Sequence, residues 1–211
     1  MDGKHCERNA KLTLFASKTS TVRLDATNPK YGQVHSMQWR HSSSPTLEFK
    51  QASSVRKIMA TVFWDRKGIL LIDFLECGLT INADAYCETV RKLRRAIQNK
   101  RRGMLSSGIV LLHDNARPHT AARTTQLLQQ FRWEDFDHPP YSPDLAPSDY
   151  HLFMHLKKWL ASQSFEADDR LKTDVTTWFK SLAADFFVTG IRKLVPRYQK
   201  RVEVRGDYVE K

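Results

Sequence analysis

The pattern of apolar and polar positions is clearest over residues 57–75, where two apolar runs on either side of a polar turn predict a β-hairpin. Valine and aromatic residues crowd Ile58–Trp64, and Ile69–Leu75 forms a second apolar run after the turn sequence at 65–68. Ile109–Leu112 is short and wholly apolar, which favours a strand in the middle of a sheet. Another short strand is predicted near Trp133–Phe136. We expect the two strands of the hairpin to be antiparallel.

Apolar residues recur at helical spacing through most of the remaining chain. One helix is predicted from its cap at Asn82 to about Arg102, and another from about Pro118 to Phe131. A third begins near Ser148, and the residues between about Asp168 and Val202 are predicted to form two more. Strands followed by alternating helices and strands indicate an α/β layered domain.

The first 56 residues lack this regularity. They are rich in Ser, Thr, Lys and Arg, and the Ser-Ser-Ser-Pro sequence at 42–45 is typical of a loop. We interpret them as irregular, with room for one short strand at Leu12–Phe15. The start of the chain has no apolar signal core, no apolar run is long enough to span a bilayer, and three cysteines show no metal-ligand spacing. The expectation is therefore a soluble intracellular protein.

Charge adds a candidate partner. The chain carries 34 Lys+Arg against 23 Asp+Glu, a formal net charge of +11 with a pI of about 9.7. Such a surplus favours a polyanion, because each neutralised phosphate releases counterions. A basic surface without a dedicated partner remains the alternative. The arginines opposite the apolar face of the helix after Asn82 fit either interpretation: a solvated face or a phosphate-contacting ridge. They are Arg91, Arg95 and Arg102.

Two aspartates stand where chemistry is commonly placed. Asp114 follows the apolar strand Ile109–Leu112, and strand ends of α/β proteins open into ligand crevices. Asp149 begins a helix after a proline-rich turn, where Ser148 is a candidate cap and the macrodipole favours a carboxylate. Asp144 suits a turn. Each residue alone is more often structural. Together, two carboxylates could converge on Mg²⁺, which is commonly held by one or two carboxylates with water and phosphate.

Three polar neighbours of Asp114 have secondary interpretations. His113 and His119 flank it without the Cys or His set that zinc requires, so we interpret them as structural or as supports for the aspartate. Asn115 is a candidate for orienting the Asp114 carboxylate, since metal-ligating carboxylates are usually hydrogen-bonded in turn.

Two segments of the chain resemble the signature segments of mariner transposases. They are HDNARPHTA at 113–121 and PPYSPDLAPSDYHLF at 139–153, which leave 34 residues between Asp114 and Asp149. That is the family's spacing for its second and third catalytic aspartates. Five further stretches are also similar, so the resemblance covers roughly residues 36–211: 36–41, 57–75, 81–102, 194–198 and 206–211.

The resemblance implies the properties of that family. It implies an RNase H-like fold, with a mixed central sheet flanked by helices and further helices at the C-terminus. It also implies metal-dependent cleavage and transfer of double-stranded DNA with Mg²⁺ or Mn²⁺, nuclear localisation and a homodimer. Asp114 and Asp149 would be catalytic and metal-binding. The domain would occupy residues 36–211, after an irregular or degraded segment over 1–35.

The chain departs from the family at its first catalytic aspartate. Family members carry it in an Asp-Glu-x-Trp segment on the first strand, and no such segment occurs in this chain. Counting back about fifteen residues from Ser36 reaches Thr21, and the nearest acid is Asp25, which could act as a metal ligand only if the register shifts. Asp65 is interpreted as a turn residue. Residues 1–35 are too short for the family's helix-turn-helix domains.

Three functional hypotheses therefore compete. The first is a transposase catalytic domain impaired by loss of the first aspartate. The second is a catalytically inactive, transposon-derived module that still binds DNA or a partner. The third, an ordinary RNase H-like nuclease, is disfavoured by the segment at 139–153. The chain also resembles the transposase-derived half of SET–mariner fusions, but it shows none of the methyltransferase segments.

Overall fold

The structure is a computed structural model that describes residues 13–23, 57–76, 79–163, 165, 167–204 and 206–209. Its centre is a five-stranded mixed sheet with the order β3-β2-β1-β4-β5. Strands β3, β2 and β1 are antiparallel neighbours, whereas β1, β4 and β5 run parallel. The strands are β1 (Thr13–Arg23), β2 (Lys57–Asp65), β3 (Gly68–Leu75), β4 (Ile109–Leu112) and β5 (Trp133–Asp135).

Strand β1 corrects the prediction for the N-terminal segment. The sequence predicts irregular structure over 1–35 with at most a short strand at Leu12–Phe15, yet the central strand of the sheet is Thr13–Arg23. Lys, Arg and Ser between its β-branched residues weaken the local signal. Pairing with β2 on one side and β4 on the other stabilises the strand conformation that local propensity alone does not favour. The sheet of the domain therefore begins well before residue 36.

The other strand predictions are confirmed. The hairpin β2–β3 is antiparallel and turns at residues 65–68. Asp65 ends β2, and its Oδ1 accepts a 2.8 Å hydrogen bond from the backbone amide of Lys67, as a turn residue should. Strand β4 is buried along its whole length and lies between β1 and β5.

Helices cover both faces of the sheet. The predicted helix after Asn82 is confirmed as α1, and the Asn82 side chain accepts from the Ala85 amide at 2.8 Å. The helix predicted from Pro118 is divided at Ala121, whose ψ of 141° is extended. Three helices, not two, follow Asp168. The α-helices are α1 (Ala83–Lys100), α2 (Met104–Ser107), α3 (Arg117–Thr120), α4 (Ala122–Phe131), α5 (Met154–Leu160), α6 (Asp168–Ser181), α7 (Ala184–Arg192) and α8 (Leu194–Glu203).

Strand β2 divides the core between the two faces because its side chains alternate. Ile58, Val62 and Trp64 pack with buried residues of α5, α6 and α7. Phe63 belongs to the opposite cluster, with α1 and α4. A third buried cluster joins Leu112 at the end of β4 to Tyr150 in the helix that starts after residue 147.

Candidate active site

Asp114 lies two residues beyond β4, where the chain leaves the sheet. Its Oδ1 accepts from the Ala116 amide at 3.1 Å and lies 2.6 Å from His119 Nδ1. His119 is buried, whereas the Asp114 side chain is 40% exposed. The contact with His119 agrees with the interpretation of this histidine as a support. The carboxylate is therefore oriented by the protein while one side of it remains open to solvent.

Three buried aromatic rings, those of Tyr86, His113 and His119, pack together next to Asp114. The rings of His113 and His119 stack with their centroids 5.1 Å apart, and Tyr86 of α1 lies 4.0 Å from His119. His113 Nδ1 is 2.8 Å from the Tyr86 hydroxyl, and its Nε2 is 3.0 Å from Asp135 Oδ1. Both histidines are thus committed to protein partners, which fixes the loop that carries Asp114.

Asp149 lies in the first turn of a π-helix, Ser148–Phe153, that continues into α5. Ser148 does not cap it, contrary to the sequence interpretation: its fully buried Oγ accepts a 3.0 Å hydrogen bond from Trp64 Nε1 on β2. On the other side, the Tyr150 hydroxyl donates to the Gly190 carbonyl at 2.8 Å. The neighbours of Asp149 are therefore anchored in the core while Asp149 itself is partly exposed.

His138 lies within electrostatic range of both aspartates. Burial lowers the pKa of this imidazole, while the negative charges of Asp114, Asp149 and Asp144 oppose that shift. Its Nδ1 is buried without a hydrogen-bond partner among the described residues. The two signature segments are also brought together by packing, because Leu112, just before the first, and Tyr150, within the second, share a buried cluster.

A direct hydrogen bond joins those segments. Asn115 Nδ2 donates to the His138 carbonyl oxygen at 2.6 Å. The sequence suggested that Asn115 orients its neighbour Asp114, but its amide instead ties the loop after β4 to the proline-rich segment. Its effect on Asp114 is therefore exerted through the backbone.

Helix α8 and the residues after it hold the proline-rich segment from behind. Arg197 Nη1 donates to the Asp144 carbonyl oxygen at 2.9 Å, and its guanidinium lies 4.0 Å from the centre of the Tyr150 ring. The buried Asp144 carboxylate accepts from the Val209 amide at 2.9 Å. Asp144 thus lies in a short 3-10 turn, Pro143–Leu145, as the sequence suggested, and its buried carboxylate anchors that turn. Its partner, residue 209, lies 65 positions away.

Comparisons with known proteins agree with this geometry. A family model described as "Transposase (partial DDE domain)" matches residues 31–107. The Mos1 mariner transposase of Drosophila mauritiana is 38% identical over 157 residues, which are 74% of this chain and 46% of that protein. The human histone-lysine N-methyltransferase SETMAR is 34% identical over 177 residues, 83% of this chain and 26% of that protein. The chain thus spans less than half of each curated relative.

Structural comparison gives the same family over a whole domain. The crystal structure of the Mos1 mariner transposase catalytic domain is 30% identical and superposes with a TM-score of 0.78, covering 97% of this chain and 88% of that one. The chain belongs to the mariner transposase family. Its match is to the catalytic domain of mariner transposases, and its fold is the RNase H-like fold that the sequence predicted.

The strand register shows which residues of β1 lie level with the end of β4. In the parallel pair β1–β4, Ala16 is level with Leu112. Continuing this register by two residues brings Lys18, not Thr21, level with Asp114. Thr21 is paired with Met59 on β2 and lies three residues further along. The count from Ser36 therefore overshoots the end of β4. Asp25, the alternative ligand, lies outside the described residues.

The donor chemistry of Asp114 and Asp149 fits a divalent metal ion. Asp114 and Asp149 offer hard carboxylate oxygens of the kind that Mg²⁺ and Mn²⁺ accept. Within the described residues, no group of three or more His, Cys, Asp or Glu side chains is arranged to hold a metal. A second ion would need a further carboxylate.

Sequence reasoning missed His138 and α8 as parts of the mariner site. His138 precedes the two prolines of the second signature segment, so its position in a rigid turn was the available signal. The arginines of α8 gave no such signal in the sequence, because a basic helix face does not indicate which carbonyl oxygens it reaches.

Among helices of the described residues, none is long and apolar enough to cross a membrane.

Proposed function

We propose that this chain is a mariner transposase catalytic domain that binds one Mg²⁺ or Mn²⁺ through Asp114 and Asp149 and acts on DNA phosphodiesters with impaired cleavage. The observation that carries the proposal is the meeting of the two aspartate segments, which the Asn115 hydrogen bond and the shared buried cluster of Leu112 and Tyr150 bring together. Solved structures of the Mos1 catalytic domain with Mg and with Mn support the choice of metal.

The residues have separable tasks in this mechanism. Asp114 and Asp149 would hold the cation, which when bound polarises a phosphoryl oxygen and neutralises charge during in-line displacement. His119 fixes the rotamer of Asp114 from its buried position. Asn115 keeps the two carboxylate segments in register. Because Lys18 occupies the register position level with Asp114, the carboxylate needed for a second ion is missing from that position.

We further propose that the partner is double-stranded DNA, bound mainly through its phosphates. The net charge of +11 supports this, as do solved structures of Mos1 paired-end complexes and of a pre-cleavage Mos1 transpososome. Those complexes also support a homodimer. A nuclear location follows from a DNA substrate and remains part of the proposal.

Metal binding provides the direct test. Isothermal titration with Mn²⁺ should give one site on the unmodified chain, and Asp114→Ala or Asp149→Ala should each abolish it. Asp169→Ala is the matched control, because Asp169 is an exposed aspartate at the start of α6. Unchanged Mn²⁺ affinity in both site variants would refute the proposed metal site.

DNA binding provides the second test. We expect affinity for a random duplex to fall steeply between low and physiological salt, since each phosphate contact releases counterions. Salt-independent binding to one defined sequence would contradict this proposal.

An inactive DNA-binding module is the second candidate function. It is favoured by the lack of a three-ligand cluster among the described residues. The two candidates differ in one measurement. Slow Mn²⁺-dependent nicking of supercoiled DNA that disappears in Asp114→Ala would support the enzyme, and DNA binding with no such nicking would support the module.

A further inference from the structure

Tyr141 combines a strained backbone with an exposed side chain. Its φ is 53°, in the left-handed region that side-chain-bearing residues rarely adopt. Its side chain is 91% exposed, although Ser142 next to it is buried. Among the described residues other than glycine, one more has a positive φ, Arg132. Arg132 ends α4 as a left-handed cap. No helix end explains Tyr141.

The strained turn is clamped on both sides of Tyr141. Its own carbonyl oxygen accepts a 2.7 Å hydrogen bond from the Tyr208 hydroxyl. Ser142 Oγ donates to the Pro140 carbonyl oxygen at 3.1 Å and accepts from Arg201 Nη1 at 2.9 Å. The bonds from Arg201 and Tyr208 come from α8 and the residues after it, and the Ser142–Pro140 bond lies within the turn. They hold the backbone in an unfavourable conformation, which keeps the ring pointing away from the protein.

The clamped turn belongs to the segment that carries the candidate active site. Tyr141 lies three residues after His138, which senses both aspartates, and eight before Asp149. Backbone strain that is over-determined by its surroundings concentrates at functional sites, because it pre-organises a group for its partner. A large aromatic surface left in water here calls for a partner that offers a flat apolar face.

We propose that Tyr141 is a base-stacking residue, whose ring packs against an unpaired or unstacked DNA base next to the phosphodiester at Asp114 and Asp149. This inference rests on the proposed function for its DNA partner. Stacking suits the observations because every base has a π-face, and a rigidly presented ring loses little entropy on binding. The basic charge of the chain favours DNA over an acidic or neutral protein surface.

Two substitutions separate the ring from the backbone conformation. Tyr141→Asn removes the ring but tolerates positive φ, so the turn should keep its shape. Tyr141→Phe keeps the ring and loses only the hydroxyl. Val202→Asn is the matched control, because Val202 is a 78% exposed apolar residue on α8. The probe is a duplex carrying one unpaired 2-aminopurine, whose fluorescence is quenched by stacking, titrated with the full chain.

We expect Tyr141→Asn to weaken binding to this probe by about five- to 150-fold and to remove the quenching. Tyr141→Phe and Val202→Asn should behave like the unmodified chain. Equal affinity and quenching in Tyr141→Asn would overturn the inference. A loss of self-association in sedimentation, with DNA affinity unchanged, would also overturn it and assign the ring to a protein interface.

The stacking role of Tyr141 and the proposed metal site can fail separately. If Mn²⁺ binding requires Asp114 but Tyr141→Asn binds the probe normally, the stacking role fails and the proposed function stands. If Mn²⁺ does not bind while Tyr141→Asn loses quenching, the proposed metal site fails and the stacking role stands.

Discussion

The side-chain amide of Asn115 is 2.6 Å from the carbonyl oxygen of His138, and this bond joins the loop after β4 to the proline-rich segment. Removing it should loosen the relative placement of Asp114 and Asp149 without removing either carboxylate. We expect Asn115→Ala to weaken Mn²⁺ binding by about 10- to 100-fold, the usual cost of losing a support of a metal ligand. Isothermal titration measures the change.

Asn99→Ala controls for the loss of an exposed asparagine, since Asn99 lies on the solvent side of α1. Its Mn²⁺ affinity should equal that of the unmodified chain. If Asn115→Ala also bound Mn²⁺ normally, the hydrogen bond would be a loop contact without influence on the site.

Restoring the first-strand aspartate should depend on the register of β1. Lys18 is level with Asp114 when the pairing of Ala16 with Leu112 is continued, so Lys18→Asp should raise Mn²⁺-dependent nicking of supercoiled DNA. Thr21→Asp, three residues along, should not. Adding Asp114→Ala to Lys18→Asp should abolish the gain.

Two results would contradict this register argument. One is nicking restored by Thr21→Asp and not by Lys18→Asp. The other is efficient nicking by the unmodified chain that Asp25→Ala stops, because Asp25 would then be the third ligand.

The buried ion pair between Arg101 and Asp65 should contribute strongly to stability. Arg101 Nε lies 2.9 Å from Asp65 Oδ2, and the aspartate side chain has no solvent exposure. Arg101→Ala would leave a buried carboxylate without its counter-ion and should lower the free energy of unfolding by about 3–5 kcal/mol. Urea denaturation measures it.

The surface pair Arg123–Asp84 is the matched control, with both side chains 65% exposed. Arg123→Ala should cost about 0–1 kcal/mol. Equal losses in the two arginine variants would show that the Asp65 carboxylate is relieved in another way.

Gly190 should not tolerate a side chain. A Cβ atom there would lie 2.4 Å from His151 Cδ2 and 3.0 Å from Trp64 Cη2. We expect Gly190→Ala to lower the free energy of unfolding by about 1–3 kcal/mol through overpacking, although alanine is the better helix former. Chemical denaturation provides the measurement. His151→Ala in the same chain should recover part of the loss, and no recovery would point to a cause other than this contact.

Local signals were sufficient for much of the fold. The hairpin β2–β3, the Asn82 cap of α1 and the buried strand β4 were predictable because period, capping and turn chemistry are encoded over few residues. Strand β1 was not, since its partners lie 34 to 96 positions away and most of its own residues are polar. Its place in the sheet is decided by pairing.

The candidate site divides in the same way. Asp114 and Asp149 were identifiable from their places at a strand end and a helix start. The destination of the Asn115 amide was not, because a side chain that could reach its neighbour instead reaches a carbonyl 23 positions away. The clamp on the turn at Tyr141 likewise depends on residues 59 to 67 positions distant. Such contacts exist only once the chain has folded.

The π-helical turn at Ser148–Phe153 sets the direction in which the side chains of α5 point relative to Asp149. A π-turn holds one residue more than an α-turn, and each residue in an α-helix advances the helix by about 100°. Deleting one residue from this turn would therefore rotate Asp149 by roughly that angle relative to Leu156 and the buried face of α5. The widened turn acts as a fixed angular offset between the partly exposed Asp149 and the side of α5 that buries Leu156 in the core.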